Sequence, residues 1–115
     1  MRFLKKMRQL IPDKEAMAHG LSGYEKIIDQ RFSNCLSCIS PDRYSPSAIS
    51  NVAEKLKWEY KNNRLSCSLT CKTKGGEEIV FVFPVSGCPL IFCKEMERDD
   101  QEEAIRRLLN LLATI

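Results

Sequence analysis

The stretch Trp58-Glu59-Tyr60-Lys61-Asn62-Asn63-Arg64-Leu65-Ser66-Cys67-Ser68-Leu69-Thr70-Cys71-Lys72 decides the fold. Trp58 and Tyr60 alternate with Glu59 and Lys61, a period of two. Beyond Asn62-Asn63 the alternation resumes, with Leu65, Cys67, Leu69 and Cys71 on one side and Ser66, Ser68 and Thr70 on the other. Apolar residues facing one way and hydroxyls the other describe an antiparallel hairpin with one buried face. Asparagine tolerates positive φ, so Asn62-Asn63 is the expected two-residue turn.

Outward from the hairpin the pattern continues. Gly75-Gly76 supplies the next turn, and residues 78–85 follow with Ile79, Phe81, Phe83 and Val85 on one face and Val80 and Val82 on the other. Apolar residues on both faces mark a central, doubly covered strand. Pro84 donates no ladder hydrogen bond, so pairing ends near it. After Ser86-Gly87, residues 88–96 read as a last strand, with Leu90 and Phe92 opposed to Ile91 and Cys93.

Helices bracket these strands. Ser45 is suited to an N-cap and Pro46 to the first helical position, where its missing N–H costs nothing. Ile49, Val52, Ala53 and Leu56 then form one stripe, ending near Lys57. Asp99 or Asp100 is the expected cap of a final helix, with Glu102 and Glu103 in its favoured first turn. Ala104, Ile105, Leu108, Leu109, Leu111, Leu112 and Ile115 give it a broad apolar face, wider than the sheet alone needs.

The first 40 residues read differently. Residues 1–11 suit a short basic amphipathic helix with Phe3, Leu4, Met7, Leu10 and Ile11 on one side. With Asp13 as cap, a second helix is expected from Lys14 to about Ile39, because Met17, Leu21, Tyr24, Ile27 and Ile28 recur at three and four residues. Gly20 and Gly23 oppose it by up to ~1 kcal/mol each relative to alanine. The loop-like run 40–46 then divides an N-terminal helical extension, residues 1–40, from a core domain, residues 45–115. The expected class is α+β, with a three- to four-stranded antiparallel sheet flanked by helices.

The 115 residues suit one domain, and 43% hydrophobic with 29% charged residues is an ordinary globular balance that argues against wholesale disorder. No run reaches the ~18 apolar residues of a membrane span. The basic start is followed by no apolar segment of the kind a secretory signal has, so a cytoplasmic protein with reduced thiols is expected. Charge is polarised. Residues 1–14 carry five basic groups against Asp13, and residues 95–103 carry six carboxylates against Arg98.

Of the six cysteines, Cys35 and Cys38 have the two-residue spacing of a zinc knuckle, which Cys67 and Cys71 would have to complete. In a flat strand those two lie ~13 Å apart along the chain, too far for one ion with Zn–S bonds of ~2.3 Å. Both also share the expected face of Leu65 and Leu69, where cysteine behaves as a small hydrophobe. Cys35 and Cys38 lie at an expected helix end rather than at the helix N-terminus that redox motifs use. His19 is the single histidine and has no visible nucleophile or carboxylate partner. No glycine-rich phosphate loop occurs, and the acidic run lacks the alternating spacing of a calcium loop. No catalytic residue, metal or cofactor is assigned.

The segment Ile49 to Ala113 resembles the α-β-β-β-α unit of the YbjN-like and type III secretion chaperone-like families. The resemblance rests on Val52-Ala53-Glu54-Lys55-Leu56, Trp58-Glu59-Tyr60, the strand patterns 65–71 and 78–85, and Leu108-Leu109-Asn110-Leu111. With the wide apolar face of helix 101–115 and the absence of a catalytic constellation, the expectation is a small protein-binding module, adaptor or chaperone-like, acting through an apolar helix or sheet surface on another protein or on a second copy as a homodimer. Leu108, Leu111, Leu112 and Ile115 are the contact candidates. The chain is also similar to the kinase-associated C-terminal domain. That likeness implies an anionic lipid or phosphate surface met by a basic hairpin patch of Lys55, Lys57, Lys61, Arg64, Lys72 and Lys74.

Overall fold

The computed structural model describes residues 14–32, 45–84 and 88–114. The elements in chain order are α1 (Lys14–Ala18), β1 (Glu25–Ile27), α2 (Pro46–Leu56), β2 (Glu59–Asn62), β3 (Ser66–Lys72), β4 (Glu78–Pro84), β5 (Leu90–Lys94) and α3 (Arg98–Leu112). All strand pairs are antiparallel, and the sheet order is β1-β5-β4-β3-β2. The α+β class is as expected, but the sheet has five strands rather than three or four. No helix of the described residues is long and apolar enough to cross a membrane.

β4 is central because both its faces are apolar. Ile79, Phe81 and Phe83 are buried under the helices α2 and α3, together with Cys67 and Leu69 of β3 and Ile91 and Cys93 of β5. Val80 and Val82 join Phe92 and Ala16 in a second, smaller cluster on the opposite face, with Leu21, Tyr24 and Leu90 packed against it. Phe81 sits between two rings. Trp58 stacks on it at 5.6 Å with planes 2° apart, and Phe32 meets it at 5.6 Å and 48°.

α2 starts and stops as its sequence dictates. The Ser45 hydroxyl accepts from the Ala48 N–H at 3.3 Å, and Pro46 opens the helix. At the far end Lys57 adopts φ 60°, its N–H bonds Glu54 C=O, and the Trp58 N–H bonds Ala53 C=O at 3.0 Å. This pair of bonds is a Schellman termination with lysine in the position glycine usually takes. It turns the chain at once from α2 into β2.

Three expectations are corrected. The long helix from Lys14 to about Ile39 is not formed. Within the described residues it gives way after Ala18, and Gly20 and Gly23 adopt φ 73° and 89°. Nothing lies within 4 Å of where their Cβ atoms would be, so conformation rather than space requires glycine. The chain then enters β1, which pairs with β5 through Glu25–Cys93, Lys26–Phe92 and Ile27–Ile91. Met17 and Ile28, counted on the helical stripe, are 53% and 84% exposed. The described part of the expected helical extension thus contains the short helix α1 and an edge strand of the same sheet.

The hairpin turn also lies two residues later than expected. Asn62 pairs with Cys67 and the Asn63 N–H bonds Ser66 C=O at 2.7 Å, so Arg64-Leu65 makes the turn. Leu65, expected on the buried face, is 76% exposed at its tip. Finally, Glu97 rather than Asp99 or Asp100 stands at the N-cap position of α3, without a side-chain capping bond. The Gln101 side chain donates to Met96 C=O at 2.8 Å and fixes the chain one turn earlier, with Met96 buried beneath. The expected basic helix, most of the 40–46 loop, Cys35, Cys38, Val85 and Ile115 lie outside the described residues.

The edge half of the sheet is tied down by polar groups. Tyr24 donates its hydroxyl to Glu78 Oε2 at 2.7 Å, and desolvation, reinforced by that carboxylate, pushes its pKa up to about 12. Asp29 accepts from the Phe32 N–H at 3.0 Å and from Arg31, whose guanidinium also reaches Glu102 of α3 at 2.7 Å. The Arg31 hydrogen bond holds the Asp29 carboxyl below its usual pKa.

Two outcomes follow from this packing. Leu108→Ala is expected to lower the unfolding free energy by about 2–5 kcal/mol, read by urea denaturation. A loss under about 1 kcal/mol would mean that Leu108 is not core. Asp29→Ala is expected to cost about 1 kcal/mol at pH 7 through the lost cap beneath Phe32. Because the folded-state pKa is depressed, the carboxylate's contribution is present above its unfolded pKa and lost as pH falls through the folded one. The difference between wild type and variant, followed by thermal unfolding, should therefore shrink as pH drops below about 4. A gap that widens on acidification would contradict this assignment.

Candidate functional site: the outer edge of the sheet

The sequence places apolar and basic candidates on many elements, and the fold separates them. Leu108 and Leu112 are 0% and 1% exposed and belong to the core, so a partner cannot reach them without opening the fold. Leu111 is partly buried and packs against the same cluster. The broad apolar face of α3 is used by α2 and the sheet.

The six basic residues do not converge either. Arg64 is at the β2–β3 turn, whereas Lys57, Lys72 and Lys74 lie towards the other end of these strands. The length of β3 between these ends is roughly 20 Å at ~3.3 Å per residue. Lys55 stands on α2. Lys72 is engaged by Glu59 at 3.3 Å and Glu78 at 3.9 Å, and Lys61 by Glu59 at 4.0 Å. This alternating row neutralises much of what a phosphate surface would use.

Among the described residues the sheet has two edges, β1 and β2, and the candidate site lies at β2. It ends the sheet order, and among the described residues no strand pairs with its outer side. The direction of its backbone groups follows from the turn. The Asn63 N–H points to Ser66, and in an antiparallel ladder this orientation alternates residue by residue. Lys61 and Glu59 therefore bond inward to Ser68 and Thr70, their register partners. Tyr60 and Asn62 turn their N–H and C=O groups away from β3. By the same alternation the Trp58 C=O points outward, while its N–H is already held by Ala53.

Side chains hold that strand in place. Trp58 is clamped between Phe81 and the Arg107 guanidinium, which lies 5.8 Å from the ring centroid. Tyr60 faces the helices and packs against the core cluster that contains Cys67. Desolvation raises the pKa of both groups, and the neighbouring Cys67 reinforces the rise at Tyr60. Glu59 and Lys61 lie on the opposite face and are exposed, so their mutual attraction at 4.0 Å contributes little to stability. Both are open to an incoming chain, although Glu59 also meets Lys72 of its own chain at 3.3 Å. The signal for this edge in the sequence is the shortness and charge of Glu59–Asn62, which mark an edge strand.

The cysteines make no comparable site. Cys71 and Cys93 flank Ile79 in one row across the sheet. Their Cα atoms are therefore about two strand spacings, ~10 Å, apart, beyond the ~7 Å limit for a disulfide. No disulfide joins the described cysteines Cys67, Cys71, Cys88 and Cys93 to one another. Burial raises the Cys71 pKa, with Arg107 opposing and Asp100 adding to the rise. Among the described residues no group of three His, Cys, Asp or Glu side chains is placed to share a metal ion.

Comparison of the chain with protein-family models, with curated proteins and with solved structures finds no match.

Iodoacetamide labelling of the folded protein, read by peptide mass spectrometry, should modify exposed Cys88 first and spare Cys67 and Cys93 until denaturant is added. Labelling of Cys67 at the rate of Cys88 would show that the helices do not seal this face of the sheet.

Proposed function

We propose that the chain is a small, non-enzymatic protein-binding module that takes up an extended segment of a partner along the outer edge of β2. The observation that carries this reading is the outward orientation of the Tyr60 and Asn62 backbone groups on a strand whose other side is fully paired. An added strand satisfies such groups with main-chain hydrogen bonds, which supply affinity without demanding a particular side chain at every position. Glu59 and Lys61, alternating on the exposed face, favour a segment with opposite charges two residues apart. The strand is preorganised, since Trp58 and Tyr60 are fixed from the helix side, and preorganisation reduces the ordering cost of binding. An adaptor role would follow from this mode of binding.

The substitution that tests it is Asn62→Pro. It removes an outward N–H that the ladder does not use, and edge strands tolerate proline in that position. Circular dichroism should show an unchanged fold. In affinity capture from the native host, proteins retained by the wild-type chain should be depleted at least about tenfold on the variant, a loss of about 1.4 kcal/mol in binding. An identical set on both baits would overturn the proposal.

A further inference from the structure

We infer that the segment received by the β2 edge is β2 of a second copy of this chain, paired antiparallel about a two-fold axis through Tyr60. The inference rests on the edge-binding reading above and names its partner. It is carried by charge complementarity and by the parity of the backbone groups.

In an antiparallel pair, directly opposed residues must both turn their backbone groups towards the new partner, or both away from it. The outward set here is Trp58, Tyr60 and Asn62. A two-fold axis can then pass only at Glu59, Tyr60, Lys61 or Asn62. At Glu59 the axis opposes two glutamates, and at Lys61 two lysines, both unfavourable. At Asn62 it moves Glu59 past the end of the partner strand. At Tyr60 it opposes Glu59 to Lys61 and, by symmetry, Lys61 to Glu59. Of the four registers only this one satisfies both charges.

The same register satisfies the backbone. Tyr60 exchanges both N–H···O=C bonds with its symmetry mate, and each Asn62 N–H donates to the Trp58 C=O opposite. The Trp58 N–H is spent on Ala53, so the outward Asn62 C=O keeps water as its partner and each end of the pair makes one bond rather than two. Glu59 and Lys61 fall at the closely approaching, non-hydrogen-bonded positions, where Cα atoms are about 4.5 Å apart. Their side chains can therefore meet directly, whereas within one chain they are 4.0 Å apart at the charged atoms and Glu59 offers its other oxygen to Lys72 at 3.3 Å. The helix layer is compatible. α2 packs on β2 and β3 alike, so its axis stands about 5 Å from the two-fold, at half to one-and-a-half strand spacings. Two copies of α2 would then lie about 10 Å apart, an ordinary helix-packing distance. The product is a continuous ten-stranded sheet with all of α2 and α3 on one face.

Four main-chain hydrogen bonds and two ion pairs make a small interface, so the dimer should be reversible and weakened by salt. Sedimentation velocity of the full chain from about 5 to about 500 µM at low salt should show monomer converting to dimer, with a dissociation constant in the micromolar range. Glu59→Lys and Lys61→Glu should each weaken dimerisation at least tenfold, by opposing like charges twice. The doubly exchanged chain should recover to within about threefold of wild type, and Asn62→Pro should remain monomeric. Circular dichroism on each variant guards against loss of fold. A wild-type chain that stays monomeric at every concentration overturns the inference. So does a dimer indifferent to the two charge reversals, or single reversals that the double exchange does not rescue. If the chain is monomeric yet loses its captured partners on Asn62→Pro, self-pairing fails while the edge-binding reading stands.

Discussion

Phe81 is the contact on which the rest of this structure depends. It lies at the middle of the central strand, stacked against Trp58 on one side and tilted against Phe32 on the other. Three separate stretches of chain meet there: the end of the N-terminal segment, the exit of α2 and the centre of β4. Aromatic pairs in such geometries add about 0.5–1.5 kcal/mol each beyond the area they bury. Their greater consequence is positional. Trp58 cannot stack unless α2 stops at Leu56, and Lys57 accepts φ 60° to make it stop there. The start of β2, its register against β3 and the direction of its outward groups are all set from that point.

The strands and α2 were legible because their signals are local and mutually consistent. Alternation in 66–72, a doubly apolar run in 78–84 and a serine–proline helix start each describe an element that its tertiary contacts then reinforce. The N-terminal segment was not legible for the opposite reason. Met17, Leu21, Tyr24, Ile27 and Ile28 have helical spacing, yet the two glycines adopt positive φ and the residues go to different environments. Ile27 packs on the main core, Leu21 and Tyr24 pack on the second cluster, and Ile28 faces solvent. A three-residue strand such as Glu25–Ile27 carries no periodicity of its own. It exists because β5 offers a free edge, a tertiary fact invisible in sequence.

The site was less legible than the fold. Apolar width on α3 suggested a contact surface, but width is also what a helix needs when it packs against both a sheet and a neighbouring helix. Leu108 and Leu112 went to that second use. The basic residues failed as a patch because strands spread sequence neighbours along their length, whereas a patch needs them gathered. Lys72, moreover, meets Glu59 and Glu78 on the neighbouring strands, and Lys61 lies beside Glu59 on its own strand. Cys67 and Cys71 were read rightly as packing residues, since strand geometry alone sets their separation.

An exposed strand edge is usually defended, and β2 carries the customary defences in being short and charged. Lysines alone would repel any symmetric copy, because every two-fold register brings like charges near the axis. A glutamate and a lysine two residues apart behave differently. They repel a copy in the registers centred on either charge and attract it in the one centred between them. The residue between them is Tyr60, whose backbone groups are the ones turned outward. A defence that is also self-complementary selects a single alignment, and it does so from the same four residues whose shortness keeps unrelated strands from adding. Charge in this strand therefore limits what may bind and specifies how, a division of labour that a hydrophobic edge of equal length could not achieve.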